Sequence, residues 1–162
     1  MNIKGVIDFT TERYIRLDES KKEKLLLHDG DILFNWRNGS LDHIGKVAFW
    51  ENPTKNDTYH VSFLLKVRTD KTQLNPYYLW AYLDKLHKSG YYRKASRRQI
   101  NIKFNATGLS NVSVPVPPIG LQQDFVDRIN EAKPIVEQQK NSASRIVGLS
   151  QSLLQMAFMG EV

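Results

Sequence analysis

The sequence predicts an α+β protein: a β-rich body with packed helices over residues 1–118, then a long coiled-coil-type helix over residues 119–162. Three observations carry this expectation. Short apolar runs separated by Asp-Gly, Asn-Gly and Pro fill the first 70 residues, which is how strands joined by tight turns read. Tyr78, Leu79, Tyr82, Leu83 and Leu86 then recur at helical spacing. From Leu121 to about Met159, apolar positions recur in alternating steps of four and three.

Taken in order, Val6-Ile7-Phe9 and Tyr14-Ile15-Leu17 begin apolar runs, and the polar DESKKEK stretch between them and the next run reads as a surface turn. Leu25-Leu26-Leu27 leads into His28-Asp29-Gly30-Asp31, where Asp-Gly signals a turn. Ile32-Leu33-Phe34 reads as a buried strand, Arg37-Asn38-Gly39-Ser40 as a polar turn, and Gly45 to Trp50 as the returning strand. Val61 to Val67 supplies another. Asn75 is a natural helix cap with Pro76 at the favoured first position, and Ser89-Gly90 stops that helix. Ala106-Thr107-Gly108 reads as a loop; the prolines of Val112 to Pro118 suit a sheet edge or an exit path, not a central strand.

The heptad seam of the last helix is Phe125, Ile129, Ala132, Val136, Gln139, Ala143, Ile146, Ser150, Leu153 and Ala157. A helix over Leu121–Met159 spans roughly 58 Å, too long to be covered by the body alone, so it is expected to meet another helix. Pro134 is expected to kink it, because the ring clashes with the preceding turn.

Composition excludes several classes. The 162 residues include 23 Lys+Arg, 17 Asp+Glu and no Cys, so a disulfide framework and cysteine zinc sites are ruled out, and a reducing cytoplasm fits. No apolar run approaches the ~18 residues that span a bilayer, and the N-terminus lacks the apolar core of a signal peptide. The net charge of +6 is unevenly placed. Residues 1–118 carry 19 basic and 12 acidic side chains, and residues 119–162 carry four and five. The stretch 85–103 alone holds seven basic residues and no acid, which fits either a solvated face or a surface for a nucleic-acid partner.

Within it, Tyr91, Tyr92, Arg93, Lys94, Ser96, Arg97, Arg98 and Gln99 combine phosphate donors with base readers, since Arg forms paired bonds to guanine and Gln to adenine. A second candidate set, Asn35, Arg37, Asn38, Ser40 and His43, lies on the turn between two apolar strands. Enzymatic motifs are weaker. Asn75-Pro76-Tyr77-Tyr78 approaches the amino-methyltransferase motif but lacks its second Pro and any glycine-rich cofactor loop, and helix capping explains it. Asp8 with Glu19 and Lys21 loosely matches a metal-dependent nuclease triplet. His28, His43, His60 and His87 share no metal-ligand spacing, so no catalytic residue, metal site or bound cofactor is expected.

Several longer motifs converge on one family. Gly30-Asp31-Ile32-Leu33-Phe34 with Gly45-Lys46-Val47-Ala48, then Asn75-Pro76-Tyr77-Tyr78-Leu79 with Gln99-Ile100-Asn101, resemble restriction–modification target recognition domains. Val114 to Gln123 resembles their exit into a conserved helix, and Ser152 to Val162 closely resembles the segment that closes type I specificity subunits. The resemblance covers about residues 25–162 and departs from the family at Gly120, where Glu is common. Such subunits usually carry two recognition domains and two conserved helices paired as an antiparallel coiled coil, so this chain looks like half a subunit. It is expected to be either a C-terminal fragment or a short subunit that dimerises.

The resemblance implies double-stranded DNA as a partner, one half of a split target read in the major groove, and a spacer helix that docks methyltransferase subunits. Those partners would bind S-adenosylmethionine and flip the adenine, and a separate restriction subunit would cut. The interface residues implied on the helix are Phe125, Ile129, Ala132, Val136, Ala143, Ile146 and Leu153. Two alternatives stand beside this reading: a protein-interaction module acting through the helix, and a Mg²⁺-dependent nuclease.

Overall fold

A computed structural model describes residues 7, 14–37, 40–52, 56–96 and 104–159. The chain divides into two compact units, Met1–Gln122 and Gln123–Val162.

The centre of the first unit is a three-stranded antiparallel sheet of β1 (Ile32–Asn35), β2 (Val47–Phe49) and β3 (Leu64–Val67), in the order β2-β1-β3. Ile32 pairs with Phe49 on one side and Val67 on the other, and Phe34 with Val47 and Leu65. All four residues of β1 are buried, because the strand is covered on both faces. Ile32 and Phe34 point into a core with Ile44, Val47, Leu79, Leu83, Tyr92 and Phe104, whereas Leu33 joins Leu27, Ala48, Trp50 and Leu64 on the opposite face. That arrangement follows from the two-residue alternation of side chains along a strand.

Helix α2 (Pro76–Lys88) begins as expected: Asn75 Oδ1 accepts from the Tyr77 and Tyr78 amides at 2.9 and 3.3 Å, and Pro76 occupies the first turn. The methyltransferase-like Asn-Pro-Tyr-Tyr is therefore a cap. Leu79 and Leu83, four apart, form the buried stripe. Helix α3 (Tyr91–Ser96) follows directly, and its Tyr92 ring meets Phe34 and Phe104 at centroid distances of 5.1 and 5.0 Å.

Three expectations are corrected. DESKKEK is not a surface turn: Glu19–Leu25 forms helix α1, its first turn bridged by Lys21–Asp18 and Lys22–Glu19 pairs. Ala106–Ser110 is a helix, α4, and not a loop, because Asn105 Oδ1 caps it by accepting from the Gly108 amide at 2.9 Å. Tyr14, Ile15 and Leu17 form no strand; Tyr14 and Ile15 stand exposed. The proline-rich 112–118 segment adopts an exit path with no strand pairing; the Tyr82 and Tyr78 hydroxyls donate to the Ser113 and Pro115 carbonyls at 3.2 and 3.1 Å. Of the first apolar run only Ile7 is described, and Ile100-Asn101-Ile102 lies outside the described residues.

Helix α5 (Ile119–Met159) runs 41 residues and continues through Pro134. Its first turn belongs to the first unit, where Gln122 is fully buried. Gln122 Oε1 accepts from the Asn75 amide at 2.8 Å, and its Nε2 donates to the Gln73 and Pro117 carbonyls at 3.0 and 2.7 Å. The second unit is the remainder of this helix, and its large apolar side chains from Phe125 to Met159 are mostly exposed.

Candidate nucleic-acid interface

The Gly30-Asp31 motif is a structural brace. Asp31 is 1% exposed and its carboxylate accepts from Arg68 Nε and Nη2, both at 2.7 Å, and from the His28 amide at 2.8 Å. Burial pushes the Asp31 carboxyl up, but the Arg68 hydrogen bonds, the His28 amide and the charges of Arg68 and Lys66 together outweigh it, so it titrates below the ordinary value. Lys66 Nζ is spent on the Lys24 and Leu26 carbonyls at 2.8 Å each, and Lys71 Nζ donates to the Asp29 carbonyl at 3.1 Å. These three cations serve the fold.

The two polar segments singled out from the sequence are far apart in the chain and adjacent in space. Beyond β1 the chain turns through a 3₁₀ segment, Leu41–His43, whose start is capped by Ser40 Oγ accepting from the Asp42 amide at 3.3 Å. Gly45 then comes so close to the Tyr92 ring that a Cβ there would lie 2.0 Å from Tyr92 Cδ2; its φ of +80° also suits glycine. This near-contact seats α3 against the turn. His87, in the last turn of α2, donates from Nδ1 to the Ile44 carbonyl at 3.1 Å. Burial lowers the His87 pKa, with the Lys46 and Lys88 charges adding to that and the Ile44 hydrogen bond opposing it. Arg93 Nη1 reaches Asp42 Oδ1 at 3.5 Å. Leu41, Asp42, His87, Lys88, Gly90 and Arg93 together line a hollow of about 190 Å³.

Each candidate residue can now be placed. Arg37, Tyr91, Arg93 and Lys94 are exposed, Ser40 caps the 3₁₀ turn, and His43 Nδ1 accepts from Lys46 Nζ at 2.9 Å. Asn35, Tyr92 and Ser96, by contrast, are buried and present almost no surface. Asn35 belongs to the all-buried β1, and Tyr92 and Ser96, four apart on α3, share its inward face. Asn35 Oδ1, Tyr92 OH and Ser96 Oγ find no hydrogen-bond partner among the described residues, and burial pushes the Tyr92 hydroxyl pKa up. Asn38, Arg97, Arg98 and Gln99 lie outside the described residues, as does Asp8 of the nuclease triplet. Glu19 and Lys21 of that triplet are exposed on α1, each paired with a side chain one turn away.

Sequence reasoning missed Asp42, Lys46, His87 and Lys88, which the fold brings beside the candidates. Lys88 and His87 sit in the basic last turn of α2, a signal that was visible as part of the 85–103 charge run. The exposed groups are guanidinium and ammonium donors with hydroxyl and imidazole neighbours, suited to phosphate and base-edge hydrogen bonds. Among the described residues, no group of three or more His, Cys, Asp or Glu is placed to hold a metal, and no helix is long and apolar enough to cross a membrane.

On α5, Ile129, Ala132, Val136, Lys133, Pro134, Glu137 and Lys140 line a concave stretch. Of the expected interface residues, Phe125, Val136, Ile146 and Leu153 are among the large exposed apolar side chains, and Ala132 and Ala143 are exposed as well. Exposed apolar surface also extends beyond the heptad seam. Val147 and Leu154 lie about 100° around the helix from Ile146 and Leu153, and Phe158 is exposed farther along.

Residues 4–143 match the family described as type I restriction modification DNA specificity domain. The chain is 26% identical to the EcoKI specificity subunit of Escherichia coli (strain K12), over 98% of this chain and 35% of that protein. It is 30% identical to the putative MjaX specificity subunit of Methanocaldococcus jannaschii, over 77% of this chain and 29% of the relative. It is 28% identical to the StySPI specificity subunit of Salmonella potsdam, over 93% and 34%. The chain thus spans about a third of the length of the curated relatives it matches. With the matched region covering the whole sheet, the 3₁₀ turn, α2, α3 and the first half of α5, the chain belongs to the type I restriction modification DNA specificity domain family.

Proposed function

We propose that this chain reads one half of a bipartite DNA target for a type I restriction–modification complex. The observation that carries the reading is the joining of the 3₁₀ turn and the α2–α3 corner, where Lys88, Arg93 and His87 line one hollow with Asp42, and Lys94 is exposed on the same short helix as Arg93. Cations supply sequence-independent attraction to phosphate, and the turn residues supply base contacts. Residues 1–118 form the recognition domain in this reading.

The segment 119–162, with α5 as its body, acts as spacer and protein dock. Its exposed Phe125, Ile146, Leu149, Leu153 and Phe158 favour protein partners: the methyltransferase subunit, and a second half-subunit or second copy along the seam. The chain itself does no chemistry. Methylation from S-adenosylmethionine belongs to the methyltransferase subunit, cleavage to the restriction subunit, and the complex works on DNA in the cytoplasm.

The test is selection from a randomised double-stranded DNA pool with the chain alone and with its methyltransferase subunit added. Enrichment of one sequence half, strengthened by the partner, supports the reading. Tight partner binding with no enriched sequence would favour a pure interaction module, and Mg²⁺-dependent cleavage by the chain alone would favour a nuclease.

A further inference from the structure

Asp42 stands out on this surface. The other charged or titratable groups lining its hollow are Lys88, Arg93 and His87, yet the Asp42 side chain is 75% exposed at the tip of the 3₁₀ turn. A carboxylate there repels a phosphate backbone. Its contact with Arg93 is long, at 3.5 Å, and the Arg93 side chain is itself 50% exposed, so the pair contributes little to stability. A base edge accounts for it better. In the major groove a carboxylate accepts from the cytosine N4 amine, and a guanidinium donates to guanine O6 and N7.

We propose that Asp42 and Arg93 together read the major-groove edge of a single G·C base pair. Guanine O6 and cytosine N4 are the two ends of one base-pairing hydrogen bond and so lie about 2.9 Å apart. The guanidinium donor and the carboxylate acceptor of this pair, 3.5 Å apart, present the matching donor and acceptor side by side. Where guanine offers two acceptors, adenine offers N7 beside an amine donor and thymine offers O4 beside a methyl group, so only guanine satisfies the guanidinium fork. The backbone carrying both residues is held from behind. The 3₁₀ turn is closed by Ser40 and by the His43 amide bonding the Ser40 carbonyl at 3.2 Å, and α3 is seated by the Gly45–Tyr92 approach.

This inference rests on the DNA-reading function proposed above, and the experiment separates the two. The full chain with its methyltransferase subunit is used to select from a randomised double-stranded DNA pool, in parallel with Asp42→Asn and Arg93→Lys. Asp42→Asn is expected to reduce the preference for G·C at one position by roughly 5- to 150-fold and to leave the other positions unchanged. Arg93→Lys, which loses the fork but keeps the charge, is expected to relax the same position. The inference is overturned if Asp42→Asn keeps every wild-type preference, if it only tightens binding to all sequences alike, or if the two variants relax different positions. Wild-type protein that enriches no common sequence overturns the DNA-reading function and this inference together.

Discussion

Asp31→Asn tests how the first unit is held together. The carboxylate is buried, accepts two charged hydrogen bonds from Arg68 and one from the His28 amide, and braces the turn before β1 against β3. Asparagine keeps the shape but offers one acceptor and turns an NH₂ group toward a guanidinium. Removing one partner of a buried pair destabilises by about 3–5 kcal/mol, and because the Arg68 side chain is 41% exposed and can turn to water, the expected loss here is about 2–4 kcal/mol. Urea unfolding followed by circular dichroism at pH 7 measures it. The carboxyl titrates below its ordinary value of 3.8 in the folded chain, so its contribution is present above that pH and disappears as pH falls through the lowered folded value. The gap between wild type and variant should therefore hold from pH 7 to about 5 and close in stronger acid. A loss under about 1 kcal/mol, or a gap that does not close in acid, refutes the brace.

Other perturbations follow from the same contacts. Gly45→Ala places a methyl group 2.0 Å from Tyr92 Cδ2 at a positive φ, and should destabilise by more than about 4 kcal/mol or prevent folding, as read by thermal unfolding. Gln122→Ala removes its three hydrogen bonds to part-buried backbone groups, which should lower stability by about 1–3 kcal/mol with an unchanged urea m-value. Burial depresses the His87 pKa below 6.5, so the unfolded chain binds the proton more readily and stability should fall as pH drops through 6.5; His87→Gln should flatten that slope in unfolding measured between pH 8 and 5.5. Lys94→Ala, at an exposed position on α3, should weaken DNA binding evenly across sequences and reduce the salt slope by about one, measured by fluorescence anisotropy.

The elements readable from the sequence were those whose signal is local and repeated. Asp29-Gly30 and the Ile32-Leu33-Phe34 run announce β1, Asn75-Pro76 announces α2, and the four-three steps after Leu121 announce α5. Helices α1 and α4 were not readable because seven and five residues are too short to display a period. Their caps and ion pairs decide them, and Asn105 at the start of α4 is such a cap, easily mistaken for a loop residue. The brace between Asp31 and Arg68 joins residues 37 positions apart, and neither local pattern nor propensity encodes that pairing.

The candidate site was half legible for a related reason. A basic run marks where cations are dense, but a helix sorts its residues by face. Once 91–96 is α3, Tyr92 and Ser96 fall inward while Arg93 and Lys94 fall outward, although all four looked equivalent as a polar string. The same sorting applies to the positive charge as a whole. Lys66, Arg68 and Lys71 donate to backbone carbonyls and to Asp31, and Lys88 pairs with Asp84 one turn away, whereas Arg93 and Lys94 stand exposed on α3. Net charge therefore overstates what faces a partner, and local charge density without the fold cannot say which cations are free to meet one. In the proposed DNA-reading role, selectivity would come from the polar and acidic groups placed among those cations. Ser40 shapes the turn, the His43 ring accepts from Lys46, and Asp42 offers a carboxylate beside a guanidinium. A surface of lysines alone would grip any duplex equally, and discrimination between bases requires acceptors held in place next to the donors.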